Sequence, residues 1–402
     1  LKLAEGAFYM SIALLNDDAR DDLLARGYSR RQLGRIGALL GAGAALSQFS
    51  NPALAQSQAA KALIGGTRIG ANECWTGPLA PGADAGAAIV KEGNRYMTAE
   101  AYEALTAAVS KVEGIPADRV LAWAGSGPPL ARTVLAFCTP EHGVVTGDPT
   151  FETVWGMAAA TKTKLSKVPL TADYRHDVKA MLAADPTAGF YYICTPNNPT
   201  GTVTPLADIE WLLANKPAGS VVVVDEAYIH FSEAESAVPL AAKRDDVLVL
   251  RTFSKLFGMA GMRLGLSLGH PDLQKKLMIY DKAPDLSVTA VACGTASLTA
   301  ADLIKARRAE MIAVREDTLA HLKKRKIAYL PGSQANMFMI DWKTLSPDEK
   351  HTKKMQQAFV AENVQIGRAW DIYPSFSRVS VGSKEDMEKF KIALDKILTA
   401  KA

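Results

Sequence analysis

Val221-Val222-Val223-Val224-Asp225-Glu226-Ala227-Tyr228 sets four consecutive valines against an acid. A short run that is apolar at every position, stopped by a charge, reads as a strand buried on both faces. An unpaired carboxylate at its end would carry a large desolvation cost, so Asp225 needs a partner there. Two further runs end in chemistry in the same way. Phe190–Cys194 leads into Thr195-Pro196-Asn197-Asn198-Pro199-Thr200-Gly201, and Val247–Arg251 leads into Thr252-Phe253-Ser254-Lys255, with Arg263 eight residues beyond. Asn198, Asp225 and Lys255 are 27 and 30 residues apart.

Val120–Trp123, Gly143–Thr146 and Leu264–Leu268 complete a set of short apolar runs punctuated by Gly, Pro or Asp. Helical patterns lie between them at Ala99–Val112, Gly127–Phe137, Val178–Ala184 and Ala207–Ala214. Strands alternating with helices predict an α/β fold, a mostly parallel sheet with both faces covered. In such sheets ligands bind beyond the carboxyl ends of the strands, so three strands deliver Asn198, Asp225 with Tyr228, and Ser254 with Lys255 to one crevice. Past Pro284 a long charged helix, Ala300–Lys324, precedes strands at Met337–Ile340, Val364–Gly367 and Ser377–Val381, which predicts a smaller α+β domain. The expected division is a leader over 1–58, an N-terminal arm and part of the small domain over 59–92, a large domain over 93–290, and the small domain over 291–402.

The chain has 402 residues, with Lys+Arg 46 against Asp+Glu 42. That balance gives no clustered basic stripe for nucleic acid. Cys74, Cys138, Cys194 and Cys293 have no paired spacing, so neither a metal site nor a disulfide framework is expected. Ser29-Arg30-Arg31-Gln32-Leu33-Gly34-Arg35 precedes an uncharged Gly- and Ala-rich stretch from Ile36 to Ala60 that contains Ala53-Leu54-Ala55. Basic region, weakly apolar region and small-x-small site make an export signal, and the paired arginines resemble the twin-arginine type. The leader is therefore expected to stand apart from the fold, with Met10 a candidate start, cleavage after Ala55, and a periplasmic or secreted mature protein beginning near Gln56. The competing reading is an amphipathic helix of the mature protein.

The ordered set of Asn198, Asp225-Tyr228, Ser254-Lys255 and Arg263 resembles the fold-type I pyridoxal-phosphate aminotransferases, most closely the histidinol-phosphate aminotransferase group, over roughly Ile69 to Met387. The resemblance implies pyridoxal 5'-phosphate as cofactor. Lys255 would bond its aldehyde as a Schiff base, and burial beside other cations would lower the lysine pKa. Asp225 would face the ring nitrogen and keep it protonated. Asn198 and Tyr228 would hydrogen-bond the ring oxygen, and Phe151 would stack on the ring. Gly125-Ser126-Gly127, opening a helix, would offer backbone N–H groups to the phosphate, joined by Ser254 and Arg263. The family usually carries acidic residues just after this turn; here Pro128 and Pro129 stand at a first helical turn, where proline is tolerated.

Arg378 resembles the family arginine that grips the substrate anion, and Arg368 its second member. Ala71-Asn72-Glu73-Cys74-Trp75 resembles the stretch lining the substrate pocket, with Trp75 as a candidate contact. Asn94-Arg95-Tyr96-Met97 resembles the segment whose tyrosine reaches the cofactor phosphate of a second subunit, which implies a homodimer with shared sites. The leading function is transfer of an amino group between an amino acid, bulky or aromatic by virtue of Trp75, Trp370 and Tyr373, and a 2-oxo acid. Histidinol-phosphate transamination and another pyridoxal-phosphate reaction (racemase or lyase) are the alternatives. A non-enzymatic effector-binding domain would need a basic helix-turn-helix module that the N-terminal residues do not resemble.

Overall fold

The structure, a computed structural model, describes residues 15–41, 65–280, 286–345 and 351–399. In chain order the strands are β1 (Thr67–Ile69), β2 (Val120–Trp123), β3 (Val144–Asp148), β4 (Leu165–Pro169), β5 (Phe190–Cys194), β6 (Val221–Asp225), β7 (Val247–Thr252), β8 (Gly265–Gly269), β9 (Ala328–Tyr329), β10 (Met337–Asp341), β11 (Val364–Ile366) and β12 (Phe376–Ser380). A seven-stranded sheet runs β2-β8-β7-β6-β5-β3-β4. Within it β8 is antiparallel to both neighbours, and the remaining strands are parallel.

The valine run shows why the sheet sits where it does. Successive strand side chains point to opposite faces. Val222 and Val224 pack with Leu105, Val109, Ile209 and Leu212 of helices Ala99–Glu113 and Leu206–Asn215. Val221 and Val223 pack with Leu130, Val134 and Met157 of helices Gly127–Phe137 and Thr153–Thr161. Both faces are covered, as the unbroken apolar run requires. Parallel direction then brings the carboxyl ends of β2, β3, β5, β6 and β7 to one edge. Strand β4 is not legible as a strand, and its position explains that. At the sheet edge only Val168 is buried, so Ser166, Lys167 and Pro169 are tolerated there.

The smaller domain holds the antiparallel sheet β12-β10-β9 and the parallel pair β1-β11 around Phe338, Trp342, Phe359 and Phe390. Its boundary falls later than position 291. Helix Val288–Leu298 places Ala290, Val291, Cys293 and Leu298 in the large-domain core with Phe253 and Leu264, so the small domain starts at helix Ala301–Lys324. The stretch expected as an N-terminal arm and part of the small domain packs in two places. β1 joins the small domain, whereas helix Ala80–Ile89 lies on helix Val288–Leu298, close enough that a Cβ at Gly82 would meet the Cys293 carbonyl at 2.6 Å. The four cysteines are free thiols.

The N-terminal segment departs most from expectation. Residues 15–41 do not stand apart from the fold: helices Asp17–Ala25 and Arg30–Gly41 bury Ala19, Leu23, Leu33 and Ile36, and the turn between them buries Tyr28, in the same cluster as Trp123, Leu135 and Phe137. Helical spacing of those residues gives the hairpin one apolar face. Arg26 fastens it by a mechanism that a sequence cannot display. Its guanidinium holds Asp22, at 2.9 and 2.7 Å, and donates to the carbonyls of Ala136 at 3.3 Å, Cys138 at 2.7 Å and Leu135, and to the Tyr280 hydroxyl. Carbonyls at the end of a helix lack intrahelical partners and carry partial negative charge, so a cation there satisfies both. Arg30 and Arg31 remain exposed at the start of the second helix. Met10, Ala53-Leu54-Ala55 and Gln56 lie outside the described residues. Among the described residues no helix is long and apolar enough to cross a membrane.

Replacing Arg26 by Ala removes this fastening. The expected cost is on the order of 2 kcal/mol, a fall in melting temperature of roughly 2–5 °C, with faster tryptic cleavage within residues 20–35. Unchanged melting and unchanged cleavage would show that the hairpin adds nothing to the folded protein.

Candidate active site

Residues from five strand ends, from the Gly70–Glu73 segment and from the small domain line one cavity of about 350 Å³. Asp225 stands at its floor. The register of β5 against β6 sets Cys194 opposite Asp225, and Tyr192, two residues earlier, projects to the same side. The Tyr192 hydroxyl donates to Asp225 Oδ2 at 3.0 Å, and the Ala227 N–H donates to Oδ1 at 3.1 Å. Only 2% of Asp225 is exposed, and burial pushes its pKa up to about 6 despite those donors. A buried carboxyl held by neutral donors is completed by a cation bearing a proton.

Lys255 follows β7 on the cavity wall. Its Nζ donates to the Asn72 carbonyl at 3.1 Å and lies 5.4 Å from the centre of the Tyr228 ring. Burial, and then the Arg378 guanidinium, lower its pKa to about 8, with Arg263 adding to the effect. Such an amine releases its proton near neutral pH, as a nucleophile and proton carrier must.

At one end of the cavity the donors converge. Ser126 and Gly127 open helix Gly127–Phe137, with Pro128 and Pro129 in its first turn, as expected. Arg263 Nη1 donates to Ser254 Oγ at 3.2 Å and to the Ala260 carbonyl at 2.9 Å. No carboxylate pairs with Arg263 among the described residues, so its charge awaits an anion. Two glycines make the close approach possible. Gly125 has φ +93°, and a Cβ on it would meet Arg263 Nη2 at 2.1 Å. A Cβ on Gly265 would meet the Ser126 nitrogen at 2.5 Å. Backbone N–H groups at a helix start beside a guanidinium suit a phosphate.

At the opposite end Arg378, from β12, is buried. Nη1 donates to Asn198 Oδ1 at 2.7 Å and Nη2 to the Gly70 carbonyl at 2.5 Å, while Nε has no partner. Burial lowers its pKa to about 10, and the neighbouring Arg368 contributes. An orphaned, buried N–H on a cation is a site for an anionic group. Asn72 ties the two domains together here. Its Nδ2 donates to the Tyr228 hydroxyl at 3.0 Å, and its Oδ1 accepts from the Ser380 hydroxyl at 2.9 Å.

Pyridoxal phosphate fits these residues: Asp225 for a protonated ring nitrogen, Lys255 for the aldehyde, the Ser126–Gly127 start with Ser254 and Arg263 for the phosphate, and Phe151 on the wall. Of the residues expected from sequence, Ser126, Gly127, Phe151, Asn198, Asp225, Tyr228, Ser254, Lys255, Arg263, Arg368 and Arg378 line the cavity. Gly125 acts from behind it. Trp75 does not line it and instead packs, half-buried, on the small-domain core. Tyr96 is 95% exposed and outside the cavity of its own chain. Tyr373 lies against Tyr174 and Phe376, whereas Trp370 is a lining residue. Asn198 Oδ1 accepts from Arg378, which leaves the Asn198 Nδ2–H groups as the donors for a ring oxygen.

Four contributors were missed: Tyr192, Glu152, Thr252 and His176. Strand alternation from Cys194 would have found Tyr192; no sequence signal points to the others. His176, fully buried, accepts the Cys194 N–H on Nε2 at 3.2 Å and so holds the start of the Asn198 loop.

The class I and II aminotransferase family profile matches residues 67–397. An aromatic amino acid aminotransferase of Rhodococcus erythropolis is 35% identical over 286 residues, covering 70% of this chain and 79% of that protein. A histidinol-phosphate aminotransferase of Moorella thermoacetica is 28% identical over 331 residues, covering 80% and 83%. The crystal structure of histidinol-phosphate aminotransferase from Sinorhizobium meliloti with pyridoxal-5'-phosphate superposes with a TM-score of 0.77 at 23% identity, over 84% of this chain and 92% of that one. At that identity the likeness concerns the fold.

Two pH effects follow from the geometry. In protein freed of small ligands, labelling of Lys255 by an amine-reactive reagent, located by mass spectrometry, should rise through pH of about 8, since only the neutral amine reacts. Arg378→Met should move that midpoint upward, because a like charge is removed; an unmoved midpoint would contradict the arrangement. Burial also lowers the His176 pKa from 6.5 to about 4. Between those values the unfolded chain binds the extra proton, so His176 contributes stability above pH 6.5 that is lost as pH falls toward about 4. His176→Asn should shrink the loss of melting temperature between pH 7.5 and pH of about 5; an undiminished loss would show that the imidazole stays accessible to protons.

Proposed function

The chain belongs to the class I and II aminotransferases, pyridoxal-phosphate enzymes that move an amino group between an amino acid and a 2-oxo acid, and we propose that its preferred donors carry bulky or aromatic side chains. One observation carries the preference. The unpartnered Nε of buried Arg378 offers a single anion grip, and beside it the wall is the indole of Trp370, with the Arg378 guanidinium carbon 5.5 Å from the ring centre. A planar guanidinium suits an α-carboxylate, and an indole face suits an apolar or aromatic side chain. The aromatic specificity in the name of the Rhodococcus relative agrees with this reading.

Pyridoxal phosphate, when bound, supplies an electron sink for the electrons left on the substrate Cα. The chain's own groups do the rest. Asp225 holds a proton on the ring nitrogen, for which its neutral donors leave it unpaired in charge. Ser126, Gly127, Ser254 and Arg263 bind the phosphate, and Phe151 bounds the cavity on the wall beside Thr150. Lys255 Nζ, neutral above pH of about 8, removes the proton from the substrate Cα. Tyr228 and Asn72 keep the lysine's surroundings fixed, and Arg378 orients the substrate through its carboxylate.

The same reading extends to assembly and address. Tyr96 is exposed and lies outside the cavity of its own chain, and by its resemblance to the family segment we assign it to the phosphate of a partner's site in a two-fold homodimer. The Arg30-Arg31 pair, exposed on the docked hairpin, is assigned to an export signal for the periplasm.

A donor panel of phenylalanine, tyrosine, aspartate and histidinol phosphate tests the substrate class. The aromatic donors should give the highest kcat/KM, and Arg378→Ala should lower it about tenfold to a hundredfold, the worth of a charge-assisted contact of about 1.5–3 kcal/mol. Preference for histidinol phosphate over both aromatic donors would replace this reading.

A further inference from the structure

Arg368 is the second cation at the substrate end of the cavity, and it is not free. Its Nη2 is paired with Glu152 Oε2, Nη1 donates to the Ala369 carbonyl at 3.1 Å, and the guanidinium carbon lies 4.2 Å from the centre of the Trp370 ring. Glu152 sits 216 residues away in sequence, immediately before helix Thr153–Thr161. A carboxylate at that place is favoured by the helix dipole. Here the Glu152 side chain makes no capping hydrogen bond, and reaches instead across the cavity to the small domain.

The charge count at this end follows. Arg378 and Arg368 bring two positive charges, Glu152 cancels one, and the remaining one belongs to the guanidinium with the orphaned Nε. We propose that Glu152 is a specificity-determining residue: by holding Arg368 as a neutral pair stacked on Trp370, it leaves the cavity one anion site, so that substrates with a single carboxylate are accepted and a second anionic group on the substrate is refused. This rests on the aminotransferase reading above and adds the residue that enforces its substrate class.

Neighbouring acids strengthen the refusal. Burial raises the carboxyl of Asp148, the last residue of β3, and the negative charges of Glu152 and Asp371 raise it further, against Lys167. A side-chain carboxylate or phosphate arriving at Arg368 would have to displace Glu152 and then share the site with these acids. A neutral aromatic ring has no such conflict. It meets the Trp370–Arg368 stack with the ion pair intact, and a neutral pair costs less to cover than an isolated charge.

Binding of two unreactive anions to the holoenzyme provides the test, maleate with two carboxylates and 3-phenylpropanoate with one, followed by calorimetry. Glu152→Gln should shift the affinity ratio toward maleate by about fivefold, the scale of a half-exposed charge pair, and should shift the kcat/KM ratio of aspartate to phenylalanine in the same direction. The shift should vanish in Glu152→Gln/Arg368→Gln, because the freed cation is what binds the second carboxylate. An unchanged ratio in the single variant, or a shift that survives loss of Arg368, would overturn the proposal. The two readings fail separately. A wild-type enzyme inactive on every aromatic donor would defeat the proposed substrate class, while the maleate comparison would still report on the ion pair.

Discussion

A carboxyl group buried at the end of a parallel strand, with neutral donors and no cation in hydrogen-bonding contact, is the constraint on which the site depends. Asp225 is placed there by four valines that pack against helices on both sides of the sheet, so its position is as fixed as the core. The next residue secures the strand end. Glu226, fully buried, accepts from Arg251 Nε of β7 at 2.8 Å, and Arg251 also reaches Glu113 at 3.0 Å and Ser236 at 2.9 Å. Breaking such a buried network costs several kcal/mol, so β6 and β7 cannot slide against each other. Asp225, the last residue of β6, and Lys255, three residues past the end of β7, are thereby held at a set separation.

Charge is distributed along the cavity with a purpose that the burial pattern reveals. Arg263 and Arg378 stand at its two ends with incomplete pairing, and Lys255 lies between them with its proton loosened by both. Each would be costly without an anion to receive. The large domain supplies Arg263, Asp225 and Lys255, and the small domain supplies Arg378, Arg368 and Trp370. Gly70 and Asn72, just after β1, join the two sets by accepting from Arg378 and Lys255, so the Arg378 guanidinium and the Lys255 amine are coupled through one short segment.

Much of this was legible in the sequence, for a physical reason. Asp225 stops a strongly apolar run, and an interruption that costs free energy is conspicuous, whereas Lys255 was found by its offset from Asp225 and by the family resemblance of the Ser254-Lys255 pair. Alternation of strands with helices was equally plain, because buried parallel strands leave no polar face. What the sequence concealed were features resting on long-range contacts. Strand β4, at the edge, is too polar to announce itself. Helix Val288–Leu298 is uncharged throughout and could have joined either domain. Glu152 looks like a helix-start acid until its partner 216 residues away is known. The hairpin of residues 15–41 has the composition of a leader, and its docking shows only in long-range contacts: its apolar face on the large-domain core and Arg26 at the end of helix Gly127–Phe137. Trp75 was misplaced because an aromatic in a pocket-lining stretch can as readily turn into the adjacent core.

Reduction of the holoenzyme with borohydride, followed by peptide mass spectrometry, tests the central claim most directly, because it locates the lysine that bonds the cofactor. The account predicts a pyridoxyl adduct on the peptide containing Lys255, and its loss after Asp225→Ala has weakened cofactor retention. An adduct confined to another lysine would contradict it.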